Sequence, residues 1–466
     1  MRILALDQGT TSTRLLVAES GGLQVLGQLR HQTRYPMPGW VEQDAAEILQ
    51  HCQSLLSSAG KADALALANQ GESCLAWDSM TGHPLSPIIV WQDRRTLANL
   101  ARMADLAEEV TARSGLPLDP YFSAAKLGWL LRERPEVARA HRAGRLRLGT
   151  TDAYLLDRLG GAFATDRATA SRTGLMNLAS GQWDARLCEI FGVPIDCLPE
   201  IRGNLAGFGS VGGVPIAASI VDQQAALFGH GCRNRGEAKI TFGTGAFALG
   251  VTGNTPPLPE GGLLPTVAWD LGEGIVYALD GGVQDAGSAV EWALKAGLAD
   301  SLADFEGFNR PAAAARDLFF LPAFSGLGAP HWDRSAAPLL IGLAPEMTRR
   351  DMCQALIEGI AFQTADLLAE MAQAIPLGPV ISIDGGLSAS GDFTAFLAKV
   401  CQREIAVSSF GERTAFGAAQ LAAMALGATL PEPEGAARRV PPGPAKPEWQ
   451  ARFNAALTRA RGWRDL

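Results

Sequence analysis

Cysteine is scarce and scattered in this chain. Its seven cysteines, Cys52, Cys74, Cys188, Cys197, Cys232, Cys353 and Cys401, are odd in number and include no C-x-x-C pair. A disulfide framework or a cysteine zinc site is therefore not expected, and a reducing compartment fits. Long hydrophobic runs are missing too: nothing approaches about 18 uninterrupted apolar residues, so no transmembrane helix is expected. The start reads as a strand and not as a basic stretch followed by an apolar one, so we expect no signal peptide and a cytoplasmic protein. An excess of positive charge is also absent. Lys and Arg number 40 against 48 Asp and Glu, a net charge of −8, which argues against nucleic-acid or anionic-membrane partners. Finally, no G-x-x-x-x-G-K-[ST] string occurs, so a P-loop is excluded.

What is present suits a large α/β protein. The 466 residues, 47% of them hydrophobic, are enough for two or more domains of roughly 100–200 residues. Strand-like runs are predicted at Ile3–Leu6, Arg14–Val17, Ala64–Ala68, Ile88–Trp91, Ala238–Phe242, Ala246–Val251, Ile275–Ala278 and Val380–Ile383. They alternate with helical patterns at Asp44–Ser58, Arg95–Ala112, Ala124–Arg132, Gln223–Phe228, Ala286–Ala296, Arg350–Ile375, Asp392–Cys401 and Ala415–Leu426. This alternation implies α/β layers. Asp44 with Glu47 reads as a capping-box start. Met352, Leu356, Ile360, Phe362, Leu367 and Met371 recur at helical spacing and predict a buried packing helix.

The chemistry-bearing strings begin at the first turn. After Ile3–Leu6 comes Asp7-Gln8-Gly9-Thr10-Thr11-Ser12-Thr13-Arg14. Such a turn between two strands can set backbone N–H groups and hydroxyls around a phosphate, and Asp7 can hold Mg²⁺ through water beside it. A second glycine–threonine turn, Thr241-Phe242-Gly243-Thr244-Gly245-Ala246-Phe247, opens the other half. The two predict related domains, 1–230 and 231–466, facing a cleft, with Gly229–Gly236 as a glycine-rich hinge. Between them Ser219-Ile220-Val221 ends in Asp222, which begins a helix. An acid there suits either a helix N-cap or a base that takes a proton from an attacking hydroxyl. A fourth string, Asp384-Gly385-Gly386-Leu387-Ser388, forms a turn through which backbone can approach a nucleotide closely.

Together these strings resemble the FGGY carbohydrate kinases of the actin/hexokinase/Hsp70 ATPase superfamily, over essentially the whole length. Tyr121-Phe122-Ser123-Ala124-Ala125-Lys126-Leu127-Gly128-Trp129-Leu130 is similar to the first family signature. Ile341-Gly342-Leu343 with Asp351-Met352 and Ala355-Leu356-Ile357-Glu358 is similar to the second, although Pro338 stands where that pattern has a small residue. Within the family, Pro38-Gly39-Trp40-Val41-Glu42, Asp222-Gln223-Gln224-Ala225-Ala226-Leu227-Phe228-Gly229 and Ser325-Gly326-Leu327-Gly328-Ala329-Pro330 resemble the glycerol kinase branch.

The resemblance implies two actin/hexokinase-like (ribonuclease H-like) α/β domains flanking a cleft for ATP and substrate. It implies transfer of the γ-phosphoryl of ATP to a terminal hydroxyl of a small polyol, with Mg²⁺ as cofactor and Asp222 as base. Glu72, Tyr121 and Gln223 would bind the other hydroxyls, and Trp91 and Phe247 would form an apolar wall. Asp7 would hold the metal. Thr10, Thr11, Ser12 and Arg14 would meet the γ-phosphate, and Gly243 and Thr244 the β-phosphate. Gly287, Gly386, Leu387 and Ser390 would flank adenosine, Ser390 standing where relatives often carry Asn. Relatives often form homodimers or homotetramers.

Two departures bear on specificity and regulation. Glycerol kinases usually read Asn-Gln-Arg-Glu where this chain has Asn69-Gln70-Gly71-Glu72. Losing that guanidinium removes several donors and is expected either to weaken glycerol binding or to admit another acceptor, such as erythritol, a pentitol, xylulose or ribulose. The segment Ser210-Val211-Gly212-Gly213-Val214-Pro215 is shorter than the loop through which some relatives respond to fructose 1,6-bisphosphate, and it lacks that loop's basic residue. Such regulation is not expected. An actin-like or chaperone-like ATPase and an inactive sugar sensor are the readings from other classes.

Overall fold

The computed structural model describes residues 1–465 apart from 20, 21, 259, 260, 434 and 436. Two mixed sheets of similar plan carry the fold. In the first, the strand order is Ser210–Val211, Val214–Val221, Ala64–Asn69, Ile3–Gln8, Ser12–Glu19, Gly22–Arg30. Ile3–Gln8 pairs antiparallel with Ser12–Glu19 and parallel with Ala64–Asn69. In the second, the order is Leu264–Asp270, Ile275–Val283, Ala246–Gly253, Ala238–Phe242, Val380–Gly385, Glu404–Val407, Arg438–Val440. There Ala238–Phe242 occupies the place of Ile3–Gln8, antiparallel to Ala246–Gly253 and parallel to Val380–Gly385. Each sheet thus joins an antiparallel meander to parallel strands.

The central strands are apolar on both faces because both are covered. Every residue of Ala64–Asn69 is buried, whereas the edge strand Gly22–Arg30 is largely exposed. One consequence positions the site. The carboxyl ends of Ile3–Gln8, Ala64–Asn69 and Val214–Val221 lie together in register, as do those of Ala238–Phe242 and Val380–Gly385. Ligands of open α/β sheets bind beyond such ends.

Most elements form where the residues predict them, with instructive differences. The helix expected from Asp44 starts at Ala45, capped by the Asp44 carboxylate on the Ala46 and Glu47 amides. Glu47 does not complete a capping box; its carboxylate accepts from the Gln32 amide instead. The long packing helix is Arg349–Ala374 and is buried along most of its length. Thr348 and Asp351 form a reciprocal capping box at its start.

The helix predicted over Arg95–Ala112 is broken into Leu97–Ala101, a 3₁₀ turn at Ala104–Leu106, and Ala107–Ser114. Its first residue is held outside it. Arg95 bonds Asp93 and Glu42 and lies 3.8 Å over the Trp40 ring. The strand predicted over Ile88–Trp91 shortens to Ile88–Ile89. The chain at Ser210–Val214 is a tight hairpin whose two central glycines both have positive φ, the two-residue turn that glycine favours.

The segment predicted as a hinge is a loop from His230 to Glu237, but Gly229 belongs to the preceding helix, Asp222–Gly229. That helix packs against Arg413–Ala425, which lies in sequence between Glu404–Val407 and Arg438–Val440 of the second sheet yet shares a buried core with the first sheet. The helices meet at backbone distance. A Cβ at Gly417 would come to 1.9 Å from the Ala225 carbonyl.

Candidate active site

Asp222 sits between the two sheets. Val221 is the N-cap of its helix and makes no side-chain capping bond. Asp222 is the first helical residue, and its Oδ1 accepts only from the adjacent Gln223 amide, at 2.7 Å. Capping is therefore not what this carboxylate does. Burial, then the nearby charges of Glu72 and Asp7, push its pKa up to about 7. A carboxylate so poised suits proton abstraction near neutral pH.

Three aromatic rings form the wall expected beside it. Trp91 meets Tyr121 edge-on at 5.5 Å and Phe247 edge-on at 6.3 Å, so the wall draws on both sides of the cleft. The three rings and Thr244 line a cavity of about 140 Å³. Trp91 is oriented by its Nε1–H, which donates to Thr10 Oγ1 at 3.0 Å. Lys126, fully buried, donates to the Tyr121 and Trp91 carbonyls at 2.8 and 3.3 Å, fixing the backbone behind both rings.

Glu72 is buried with φ +56, a left-handed conformation that costs a non-glycine residue and is kept where structure over-determines it. Its Oε1 accepts from Arg172 Nε at 2.6 Å, and Arg172 Nη2 reaches Asp280 across the cleft at 2.8 Å. Burial alone would lower the Arg172 pKa, but Glu72 and Asp280 hold it well above its usual range. Gln223 Oε1 accepts from Lys239 Nζ at 2.6 Å, which leaves the amide NH₂ of Gln223 as the group it can offer a hydroxyl. Lys239 also donates to Thr241 Oγ1.

The two glycine–threonine turns lie beside this cluster, the first bonded to Trp91 through Thr10 and the second at the cavity through Thr244. Gly9 N–H bonds Ser12 O to close the first. Thr11 is exposed and Thr10 partly so. Ser12 Oγ is buried and accepts from Gln28. Arg14 pairs with Glu412 at 2.9 Å, again joining the two sides. Gly243 and Thr244 are exposed, and their carbonyls receive the amides that start the helix Gly287–Lys295. Gly287 is required by that contact, because a Cβ there would lie 2.5 Å from the Gly243 carbonyl.

Gly386 is exposed and open, and Leu387 is half-buried. Ser390 is a different case. Its hydroxyl accepts from the Phe393 amide as the N-cap of Gly391–Cys401, and the residue is buried; its O–H remains available to donate.

No cluster of three or more His, Cys, Asp or Glu side chains among the described residues is arranged to hold a metal by itself. Asp7 offers one carboxylate at the phosphate turn, and no hydrogen bond to it is present among the described residues. Burial, with Arg14 opposing and Glu412 adding, raises its pKa to about 6. One carboxylate beside phosphates is a sufficient protein contribution for Mg²⁺, which keeps most of its waters.

The sequence profile for the N-terminal domain of the FGGY family of carbohydrate kinases matches residues 2–229, and that for the C-terminal domain matches residues 238–426. The chain belongs to the FGGY family of carbohydrate kinases. The glycerol kinase of Trichlorobacter lovleyi is 40% identical, covering 99% of each chain. That of Haloferax volcanii is 39% identical over 91% of this chain and 89% of its own. Among solved structures, the Plasmodium falciparum glycerol kinase with ADP superposes with a TM-score of 0.89 at 29% identity, covering 98% of both chains. A xylulose kinase of Brucella ovis reaches 0.85 at 25% identity, covering 99% of this chain and 98% of its own. As a member of this family the chain is a carbohydrate or polyol kinase with the family's two-domain α/β fold.

Four residues escaped the sequence reading: Lys126, Arg172, Lys239 and Asp280. The available signal was a single charge in a run of small or apolar residues, as in Ala238-Lys239-Ile240. Such a charge is buried only when paired.

Proposed function

We propose that this FGGY kinase transfers the γ-phosphoryl group of ATP to a terminal hydroxyl of glycerol, giving sn-glycerol 3-phosphate. The observation that carries the reading is Asp222, a carboxylate that makes no helix cap, lies near Asp7, Glu72 and Lys239, and is raised to about 7.

In this reading the acceptor's carbon backbone lies on Trp91, Tyr121 and Phe247. Gln223 and Glu72 bind hydroxyls, and Asp222 accepts the proton of the hydroxyl that attacks. Backbone N–H groups and hydroxyls at Thr10, Thr11 and Ser12, with Gly243 and Thr244, stabilise charge on the transferred group. Arg14 orients the first turn from its pair with Glu412. Mg²⁺ held through water at Asp7 would neutralise phosphate charge. Gly287, Gly386, Leu387 and Ser390 border the space for adenosine, Ser390 also capping the helix it begins.

We propose units 1–230 and 231–466 that close over the acceptor and keep water out. We further propose a cytoplasmic homodimer or homotetramer. No helix among the described residues is long and apolar enough to cross a membrane.

Gly71 favours a second reading, in which the acceptor is another polyol or sugar such as erythritol, a pentitol, xylulose or ribulose. A panel of these acceptors in an ADP-release assay tests both. Glycerol is expected to give the highest kcat/KM. A longer polyol or ketopentose exceeding it overturns the first reading in favour of the second, and ADP release indifferent to every acceptor overturns both.

A further inference from the structure

Gly71 leaves no guanidinium on its own segment, yet the cluster contains one. Arg172 is 3% exposed and comes from the segment after the short helix Arg167–Ala170. Its Nε grips Glu72, the residue next to Gly71, and its Nη2 grips Asp280. Two polar atoms of this triad are left over. Arg172 Nη1 and Asp280 Oδ1 are both buried and without a hydrogen-bond partner. A buried orphan donor beside a buried orphan acceptor calls for an explanation. The guanidinium carbon is 6.0 Å from the centre of the Tyr121 ring, so the pair stands at the aromatic wall.

We propose that Arg172 and Asp280 form the specificity subsite for the acceptor's distal hydroxyl, with Arg172 Nη1 donating to the hydroxyl oxygen and Asp280 Oδ1 accepting its proton. This rests on the polyol-kinase reading above and supplies the guanidinium that Gly71 lacks. A hydroxyl is the group that donates and accepts at one atom, so it satisfies both orphans at once. A carboxylate or phosphate satisfies only the arginine and meets Glu72 and Asp280 as like charges. The subsite therefore selects neutral polyols and rejects sugar acids. A Cβ at position 71 would meet a single neighbour within 4 Å, the Val221 Cγ2 methyl at 3.0 Å.

The test compares glycerol with 1,2-propanediol, which lacks the distal hydroxyl, and with glycerate, in steady-state ADP release by wild type, Arg172→Lys and Arg172→Met. Wild type is expected to prefer glycerol over 1,2-propanediol by about ten- to a hundredfold in kcat/KM, the worth of a charge-assisted hydrogen bond. It is expected to leave glycerate unused. In Arg172→Lys, which keeps the charge but loses the fork, that preference shrinks to within about threefold, mainly through a higher KM for glycerol. Arg172→Met abolishes the preference if it folds, and Arg172→Lys decides the matter if it does not. Variants that lose activity on both acceptors equally, with the preference intact, overturn the subsite and leave the kinase reading standing. Wild-type turnover of glycerate as fast as glycerol overturns the subsite as well. A wild type inactive on every polyol overturns both.

Discussion

Replacing Asp222 by Asn should cost the protein its chemistry and increase its stability. The carboxyl titrates at about 7 in the folded chain against 3.8 for an unperturbed aspartate. That difference of roughly three pH units corresponds to at most about 4 kcal/mol at neutral pH, at about 1.36 kcal/mol per unit. Water reaching the partly exposed carboxylate reduces it. The fold holds its proton to higher pH than the unfolded chain does. Asp222 is therefore without cost below pH about 4, and it destabilises progressively as pH rises toward 7.

Asparagine has the same shape and no charge. Asp222→Asn should thus melt above wild type at pH 8, and the gap should close as the pH falls toward 4. Over the same substitution, loss of a general base lowers kcat by about 10²–10⁴-fold. Thermal melts of the nucleotide-free protein between pH 4 and 8, beside ADP-release rates with glycerol, measure both arms. Equal melting at pH 8, or more than about a tenth of the wild-type rate, would refute the reasoning.

Four further substitutions probe neighbouring parts of the site. Asp7→Asn should raise the Mg²⁺ concentration needed for half-maximal rate and lower kcat, while acceptor KM changes little; a Mg²⁺ titration checks this. Lys126→Met leaves the Tyr121 and Trp91 carbonyls without their donor, at about 1–3 kcal/mol, so denaturant melts should show lower stability and kinetics a higher acceptor KM. Gly287→Ala drives a Cβ against the Gly243 carbonyl and should raise the KM for ATP more than that for acceptor. Ser390→Ala loses the side-chain cap on the Phe393 amide, at about 1 kcal/mol of stability, which denaturant melts measure.

Segments whose information is local were legible from the residues. Ile3–Leu6 and Ala238–Phe242 are continuous apolar runs bounded by turn residues, and both form central strands. The two glycine–threonine turns and Asp222 were legible for the same reason, as were the two similar halves. The edge strand Gly22–Arg30 was not, since it does not stand out as a bounded apolar run.

The late start of the helix predicted from Arg95 was hidden because Arg95 is claimed by Asp93, Glu42 and Trp40, partners that helical periodicity does not reveal. The missed charges are of one kind. Arg172 is 100 residues from Glu72 in sequence, and Lys239 is defined by Gln223 on another element. Pairing at such distances exists only once the two sheets are brought together.

The central claim is that Asp222 drives transfer of a phosphoryl group from ATP to glycerol. Mass spectrometry of the products formed from ATP, Mg²⁺ and glycerol by wild type and Asp222→Asn tests it most directly. The account predicts glycerol 3-phosphate in equal amount to ADP with wild type and almost none with the variant. ADP formed without phosphorylated glycerol, or glycerol 3-phosphate made by Asp222→Asn at a comparable rate, would contradict it.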